Sequence, residues 1–275
     1  MDNYILLEVG CEEPIKEILI AELNELGFEG FIESDSGFEA YIAEIDFKKE
    51  LVDQLLSQYK IDESGVTYKS VAQQNWNAEW ESSFEPVIID ETLLIRAPFH
   101  QMEKSYPIEL IIQPKTSFGT GHHETTFLIM QLMLKMDFNN KTVFDYGSGT
   151  GILAILASKL GAKSIYANDI DDWAADNIIE NTGLNGVNSI WFEKGNLESV
   201  PAQKFDIILA NINKNILLQS LDGLAKLLNP GGIVLMSGFY DTDLPDLLQE
   251  ANKFGLGFKR KEVLNGWCTM EMLKN

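Results

Sequence analysis

Basic residues are scarce in this sequence: 21 Lys and Arg stand against 42 Asp and Glu in 275 residues, a formal net charge of -21. Such a chain repels a polyanion held along a broad surface, so no direct nucleic-acid partner is expected, and a basic protein is the partner its field would draw in. Cysteine occurs only as Cys11 and Cys268, near opposite ends, which excludes a disulfide framework and a CxxC metal or redox motif. Buried thiols in a reducing compartment are the reading that remains. No run of about 18 apolar residues is present, so nothing in the sequence reads as a membrane-spanning helix. The opening "MDNYILLEVGCEEP" carries an acid where a signal peptide has a basic segment ahead of an apolar run. No membrane partner and a cytoplasmic location are expected.

The chain is long enough for two domains. Residues 4–73 read as strand, helix, two strands, helix and strand, the β-α-β-β-α-β order of ferredoxin-like folds. "PIKEILIAELNELG" sets Ile15, Ile18, Leu19, Leu23 and Leu26 at helical spacing, with Pro14 suited to the first turn and Gly27 to the stop. "FEGFIE" and "FEAYIAEI" flank "SDSG", a hairpin signal. Positions 1–73 hold 17 acidic against 5 basic residues, a net of -12. Then "QQNWNAEWESSFEPV" spaces Trp76, Trp80 and Phe84 four apart, which predicts a short linker helix over 74–85. Over 86–275, after short extended segments in "TLLIRAP" and "PIELIIQP", apolar strands alternate with amphipathic helices from "KTVFDY" to "GIVLMSG". That alternation means a mostly parallel sheet covered on both faces, a Rossmann-like α/β domain. Asn265-Gly266 joins two last strands as a C-terminal antiparallel hairpin and completes an expected seven-stranded sheet.

The chemistry is concentrated in "VFDYGSGTG". A buried strand runs into Gly147, Gly149 and Gly151 and a helix then begins, a βα turn whose glycines let a ligand reach the backbone and the open N–H groups of the helix. A dinucleotide fingerprint needs a small residue where the bulky Ile152 stands, which speaks against NAD and a dehydrogenase. Asp145, two residues before the first glycine, would repel a pyrophosphate and suit a cation. Asp169 ends the next strand 24 residues on, at the distance that brings an acid to ribose hydroxyls. S-adenosylmethionine has an adenosine, no phosphate, an α-ammonium and a sulfonium, and so meets these constraints; S-adenosylhomocysteine would be its product. The rival reading makes each Asp a cap for the helix after it. A third element, "FDIILANIN", delivers Asn211 to the carboxyl edge of the sheet, where an amide can accept from an incoming amine without carrying charge.

Together these elements resemble the class I S-adenosylmethionine-dependent methyltransferases. "FGTGHHETT" ahead of them resembles the F-G-T-G-x-H-x-T-T loop of the PrmA family, whose members methylate large-subunit ribosomal protein eleven. The likeness takes in the small N-terminal domain, "NWNAEW", the loop and the methyltransferase core. It implies cofactor binding through Thr126, Gly147, Asp169 and Asn211, and transfer to lysine side chains, an N-terminal α-amine or both. Where the family often has Asp-Pro-Gly before the loop this chain has Gln113-Pro114-Lys115, and Asn196 stands where many such enzymes carry an acid near the adenine.

The loop also contains His122, His123 and Glu124, a set that suggests a metal. Consecutive residues on a helix point about 100° apart and do not converge on one ion, and His100 is the only other histidine, so no metal is expected. Residues 118–121 read instead as a glycine loop in which Phe118 shields the transferring methyl group from water, with His123 a candidate helix cap. Asn211 is the candidate catalytic residue; Phe118, Thr126, Asp145, Gly147, Gly149, Asp169 and Asn211 are the candidate cofactor contacts. The acidic N-terminal domain is the candidate recognition arm for a basic ribosomal protein. Readings left open are a methyltransferase of another protein or of a small molecule, and a nucleotide-binding adaptor without catalysis.

Overall fold

The computed structural model describes residues 3–12, 15–34, 36–62, 65–72, 84–114 and 121–275. The chain divides into two compact units, residues 1–83 and 84–275. The linker helix over 74–85 falls outside the described residues as far as 83; Phe84 and Glu85 belong to no helix or strand.

In the first unit β1 (Asn3–Gly10), β2 (Gly30–Ser34), β3 (Gly37–Ala43) and β4 (Val66–Ala72) form an antiparallel sheet in the order β2-β3-β1-β4, with α1 (Ile15–Glu25) and α2 (Lys49–Gln58) in the connections. Alternation along the strands turns Ile5, Leu7, Val9, Phe38, Ala40 and Ile42 to one side, where Leu19 and Leu23 of α1 and Val52, Leu55 and Leu56 of α2 meet them. Of the helical series read in α1, Leu19 and Leu23, one turn apart, are fully buried and Ile15 is partly so, but Ile18 lies off this stripe and is exposed. Each fully buried Leu contributes about 1.5–3 kcal/mol, and Leu23→Ala would cost about 2–5 kcal/mol.

The second unit is built on a seven-stranded sheet in the order β10-β9-β8-β11-β12-β14-β13. Its parallel strands are β8 (Thr142–Tyr146), β9 (Ser164–Asp169), β10 (Ile190–Lys194), β11 (Phe205–Asn211) and β12 (Leu228–Tyr240). The hairpin of β13 (Leu256–Leu264) and β14 (Trp267–Lys274) joins antiparallel to β12. Asn265 (φ 50°) and Gly266 (φ 83°) turn it, both in the left-handed region that a type I′ turn needs. One sheet face carries Val143, Ile207 and Leu209 against α3 (Glu124–Met133), α4 (Ile152–Lys159) and α5 (Asp172–Asn185). The other carries Phe144, Ile208 and Ala210 against α6 (Lys214–Leu227) and α7 (Leu244–Lys253). Successive residues of one strand thus serve opposite cores, which is why these strands read as unbroken apolar runs.

Two elements were not evident in the sequence. The first is α7, whose signals are Pro245 in its first turn and Leu244, Leu247 and Ala251 on its buried side. The second is β5 (Val87–Ile89), which pairs antiparallel with β6 (Leu93–Arg96); β6 in turn pairs parallel with β7 (Ile108–Ile111) in a separate three-stranded sheet. On β14 the carboxylate of Glu271 is wholly buried and receives Lys259 Nζ at 2.7 Å and Arg260 Nε at 2.5 Å, a bulge letting consecutive residues of β13 reach it. Cys268, also on β14, is buried, and Cys11 in the first unit is half-buried; neither is in a disulfide.

Candidate active site

The sheet reverses its strand order at β8: the chain moves outward to β9 and β10 and then returns to β11 on the opposite side. Ligands of open α/β sheets bind beyond the carboxyl ends of the strands at such a point. There β8 runs into Gly147 (φ 72°), Gly149 (φ 52°) and Gly151 (φ 78°) before α4 starts. Two of these glycines are required by space as well as by φ. A Cβ on Gly147 would lie 2.5 Å from Ile212 Cγ2, and one on Gly151 would lie 2.6 Å from Ile178 Cγ1. The bulky Ile152 that disfavoured a dinucleotide is the first residue of α4 and is packed into the core on the α3–α5 side.

Backbone and side chains from β9 fix this turn. The Gly147 and Ser148 amides donate to the Asn168 carbonyl at 3.0 and 2.9 Å. Asp169 Oδ2 accepts from the Gly149 amide at 2.9 Å, and its Oδ1 accepts from the Asp171 amide at 3.1 Å. Asp169 therefore acts on the glycine turn itself rather than capping α5, whose N-cap is Asp171.

Asp145 is 1% exposed. One oxygen, Oδ2, accepts from the Ala154 amide in the first turn of α4 at 3.0 Å, so the helix-capping reading holds for half of this carboxylate. The other, Oδ1, is buried with no hydrogen-bond partner among the described residues, as are Ser148 Oγ and Asn168 Oδ1. Burial, with the Asp169 charge adding to it, pushes the Asp145 carboxyl up to about 7 against the pull of the Ala154 amide. Unpaired buried polar atoms cost about 1–3 kcal/mol each. Three of them at the ends of neighbouring strands β8 and β9, the Asn168 oxygen a pure acceptor and the Asp145 carboxyl one once ionised, suit a ligand that brings donors and positive charge, and oppose a phosphate. Ser148 and Asn168 were not singled out in the sequence. Their signal was position alone, one between the motif glycines and one just before the strand-ending acid.

Across the switch point, β11 ends at Asn211, whose register partner on β12 is Ser237. Asn211 Nδ2 donates to Thr126 Oγ1 at 3.1 Å, joining two candidate residues across 85 positions of sequence. Thr126 is buried in the first turn of α3, as is Thr125. Below Thr125, Ser237 Oγ accepts a 2.6 Å bond from Thr269 Oγ1 and has one proton to share between the carbonyls of Cys268 at 3.1 Å and Thr125 at 3.3 Å. His123 is the N-cap of α3, its Nδ1 accepting from the Thr125 amide at 3.3 Å. His122 Nε2 meets the Glu85 carbonyl at 2.8 Å, and His100 Nδ1 accepts from the Ala97 amide at 3.1 Å. Among the described residues no three His, Cys, Asp or Glu side chains are grouped to hold a metal ion. Phe118 lies outside the described residues. Asn196 caps a short helical turn, Leu197–Ser199, by accepting from the Glu198 amide, and its carbonyl receives Asn168 Nδ2 at 3.0 Å.

Residues 8–275 match the sequence-family profile described as "Ribosomal protein L11 methyltransferase (PrmA)". Among curated relatives, the ribosomal protein L11 methyltransferase of Porphyromonas gingivalis is 42% identical over 262 residues, 94% of this chain and 90% of the relative. That of Phocaeicola vulgatus is 38% identical over 267 residues, 96% of this chain and 95% of the relative. Among solved structures, the ribosomal protein L11 methylase of Lactobacillus delbrueckii subsp. bulgaricus superposes with a TM-score of 0.65 at 32% identity, covering 70% of this chain and all of that one. A methyltransferase from Pyrococcus furiosus, 19% identical with a TM-score of 0.52 over 60% of this chain and 89% of that one, shares the fold.

Proposed function

The chain belongs to the ribosomal protein L11 methyltransferase (PrmA) family, and from that premise we propose that it transfers methyl groups from S-adenosylmethionine to amines of ribosomal protein L11. The amines are lysine side chains, the N-terminal α-amine or both. The observation that carries this reading is the Asn211–Thr126 bond at the switch point beside the glycine turn. It joins the amide that would receive an amine to the helix that follows the glycine loop.

The residues present fit the methyl donor. Asp145 Oδ1, Ser148 Oγ and Asn168 Oδ1 are the buried atoms that a donor-rich cation would satisfy. Asp145 would take the α-ammonium, Asp169 the ribose hydroxyls, and Gly147 and Gly149 would let the ligand reach the backbone. When bound, S-adenosylmethionine supplies a methyl carbon on a sulfonium, open to in-line displacement by an amine. Asn211 does its part by orientation. With Nδ2 committed to Thr126, Oδ1 is turned to accept a hydrogen bond from the incoming amine and to align its lone pair. Positioning of this kind is worth up to about 7–11 kcal/mol. The amine has to arrive neutral, which costs about 4.6 kcal/mol for a lysine at pH 7 and about 1 kcal/mol for an α-amine. Asn211 carries no charge to remove that proton, so it leaves to water as the amine is desolvated.

The first unit is the recognition arm in this reading. Its net charge of -12 over positions 1–73 matches a basic substrate, and its ferredoxin-like sheet carries none of the cofactor motifs. Among the described residues no helix is long and apolar enough to cross a membrane, and a cytoplasmic site of action, where ribosomal proteins are made, goes with the proposal. The test is mass spectrometry of L11 after incubation with the enzyme and isotope-labelled S-adenosylmethionine. Label on L11 amines is the expected result; label on another protein and none on L11 would overturn the substrate assignment.

A further inference from the structure

Among the described residues strand β7 has a strand neighbour on one side only. Toward β6 its backbone pairs normally, and Ile112 just past it donates to the Arg96 carbonyl at 2.9 Å. Ile111 and Gln113 direct their amides the other way, where none of the described strands lies. Side chains of α5 meet them. Asn185 Oδ1 accepts from the Ile111 amide at 2.9 Å and Asn185 Nδ2 donates to the Ile111 carbonyl at 2.7 Å. One helical turn earlier, Asn181 Oδ1 accepts from the Gln113 amide at 2.9 Å. Two asparagines at i and i+4 thus stand in for a missing strand. Both lie on the buried side of α5, where an apolar stripe would ordinarily run.

Asn181 makes one bond that Asn185 does not. Its Nδ2 donates at 2.9 Å to the carbonyl of Thr150, the residue between Gly149 and Gly151. A single buried amide therefore grips the glycine turn with its nitrogen and the chain at Gln113 with its oxygen, both from a rigid helix. A leucine of similar volume there would take away this partner of the Thr150 carbonyl and of the half-buried Gln113 amide. Retaining a polar side chain inside a helix–sheet interface costs desolvation energy, which the two bonds offset.

We propose that Asn181 is a positioning residue for the methyl donor: it holds the Gly149–Gly151 backbone in its binding geometry by tying Thr150 to the chain at Gln113, just past β7. Asn185 anchors the same strand without touching the turn and so serves as a built-in control. The proposal rests on the reading of the Gly147–Gly151 turn as the cofactor site.

The experiment compares Asn181→Leu with Asn185→Leu in the full chain. It measures thermal stability, S-adenosylhomocysteine affinity by calorimetry, and KM for S-adenosylmethionine and for the protein substrate separately. Both variants lose stability. Asn181→Leu alone weakens S-adenosylhomocysteine and raises the S-adenosylmethionine KM by about tenfold, one hydrogen bond's worth, while the protein-substrate KM changes less than about twofold. Asn185→Leu keeps both cofactor constants within about twofold of wild type. If Asn181→Leu does not fold, Asn181→Ser takes its place under the same criteria. Equal cofactor effects in the two positions, or wild-type affinity in a folded Asn181 variant, would overturn the positioning role alone. A wild-type enzyme that fails to bind S-adenosylhomocysteine would overturn the cofactor site and this role with it.

Discussion

Asn211 Nδ2 donates to Thr126 Oγ1 at 3.1 Å, so the hydroxyl on α3 decides which way the amide at the end of β11 faces. Without that bond the amide can flip and present donors where an acceptor is needed. Asn211→Ala is expected to lower kcat/KM for the protein substrate by about 10²-fold, mostly in kcat, the scale of a lost alignment. Thr126→Val keeps the shape and loses the hydroxyl, and should cost about tenfold. If Thr126 acts through Asn211 on the acceptor, as proposed, the double variant should be no slower than Asn211→Ala; simple multiplication of the two losses in steady-state kinetics would sink this account.

In the proposed site, Asp145 would link cofactor binding to pH. Its folded carboxyl titrates at about 7, above the ordinary carboxylate value, so the ligand-free fold holds a proton that the unfolded chain releases. The stabilisation from this group is fully present below about pH 4 and is lost as pH rises through about 7. Asp145→Asn should therefore raise the Tm of the ligand-free protein more at pH 8 than at pH 5. Pairing with an α-ammonium needs the ionised form, so S-adenosylmethionine affinity should rise by about tenfold per unit up to pH 7 and then level off. Calorimetry at pH 6 in two buffers of different ionisation enthalpy would detect the released proton; its absence would remove Asp145 from the ammonium site.

Asp169 holds the Gly149 amide with one oxygen and the Asp171 amide with the other. Asp169→Ala frees the turn and, in the proposed site, would also remove the acceptor for the ribose hydroxyls. Affinity for S-adenosylhomocysteine should fall by about 1–3 kcal/mol, the range for hydrogen bonds to a charged group. Unchanged binding in a titration would show that the turn keeps its shape without it.

Salt separates recognition from solubility as the task of the acidic first unit. Charge steering is screened over about 8–10 Å at physiological ionic strength, so kcat/KM for L11 should fall as salt rises while kcat holds. Removing residues 1–73 should leave S-adenosylhomocysteine binding intact and abolish L11 methylation. A truncated enzyme with full kcat/KM would show that the substrate is held elsewhere.

Much of this site is written locally in the sequence. "VFDYGSGTG" and "FDIILANI" carry their meaning because a buried strand followed by glycines, or ending in one amide, has few alternative uses, and the sheet places both at its switch point. The pairing of Thr126 with Asn211 was accessible only through the family likeness, since nothing in a threonine's own surroundings says which strand it will meet. The asparagines of α5 were least legible. "NIIENTGLN" shows Asn177, Asn181 and Asn185 at four-residue spacing, a polar stripe on what became the buried side, but apolar periodicity cannot register polar groups that satisfy a strand edge. Helix α7 was missed for a related reason, its apolar positions being diluted by the exposed Pro245, Asp246, Gln249, Asn252 and Lys253.

The two cysteines fall one to each unit, and the difference in their settings makes the buried one a natural clock for chain opening. The Cys268 thiol, sealed within β14, is pushed up to about 12 by burial and by the Asp241 charge beside it, so it has almost no thiolate to react with an alkylating reagent while its unit stays folded. Cys11, just past the end of β1, is only half-buried and is open to the reagent without unfolding, so it serves as the internal reference. Mass spectrometry of timed alkylation, read at Cys268 against Cys11, would give the opening rate of the second unit without any engineered label. S-adenosylhomocysteine should slow the labelling of Cys268 and leave that of Cys11 as it was.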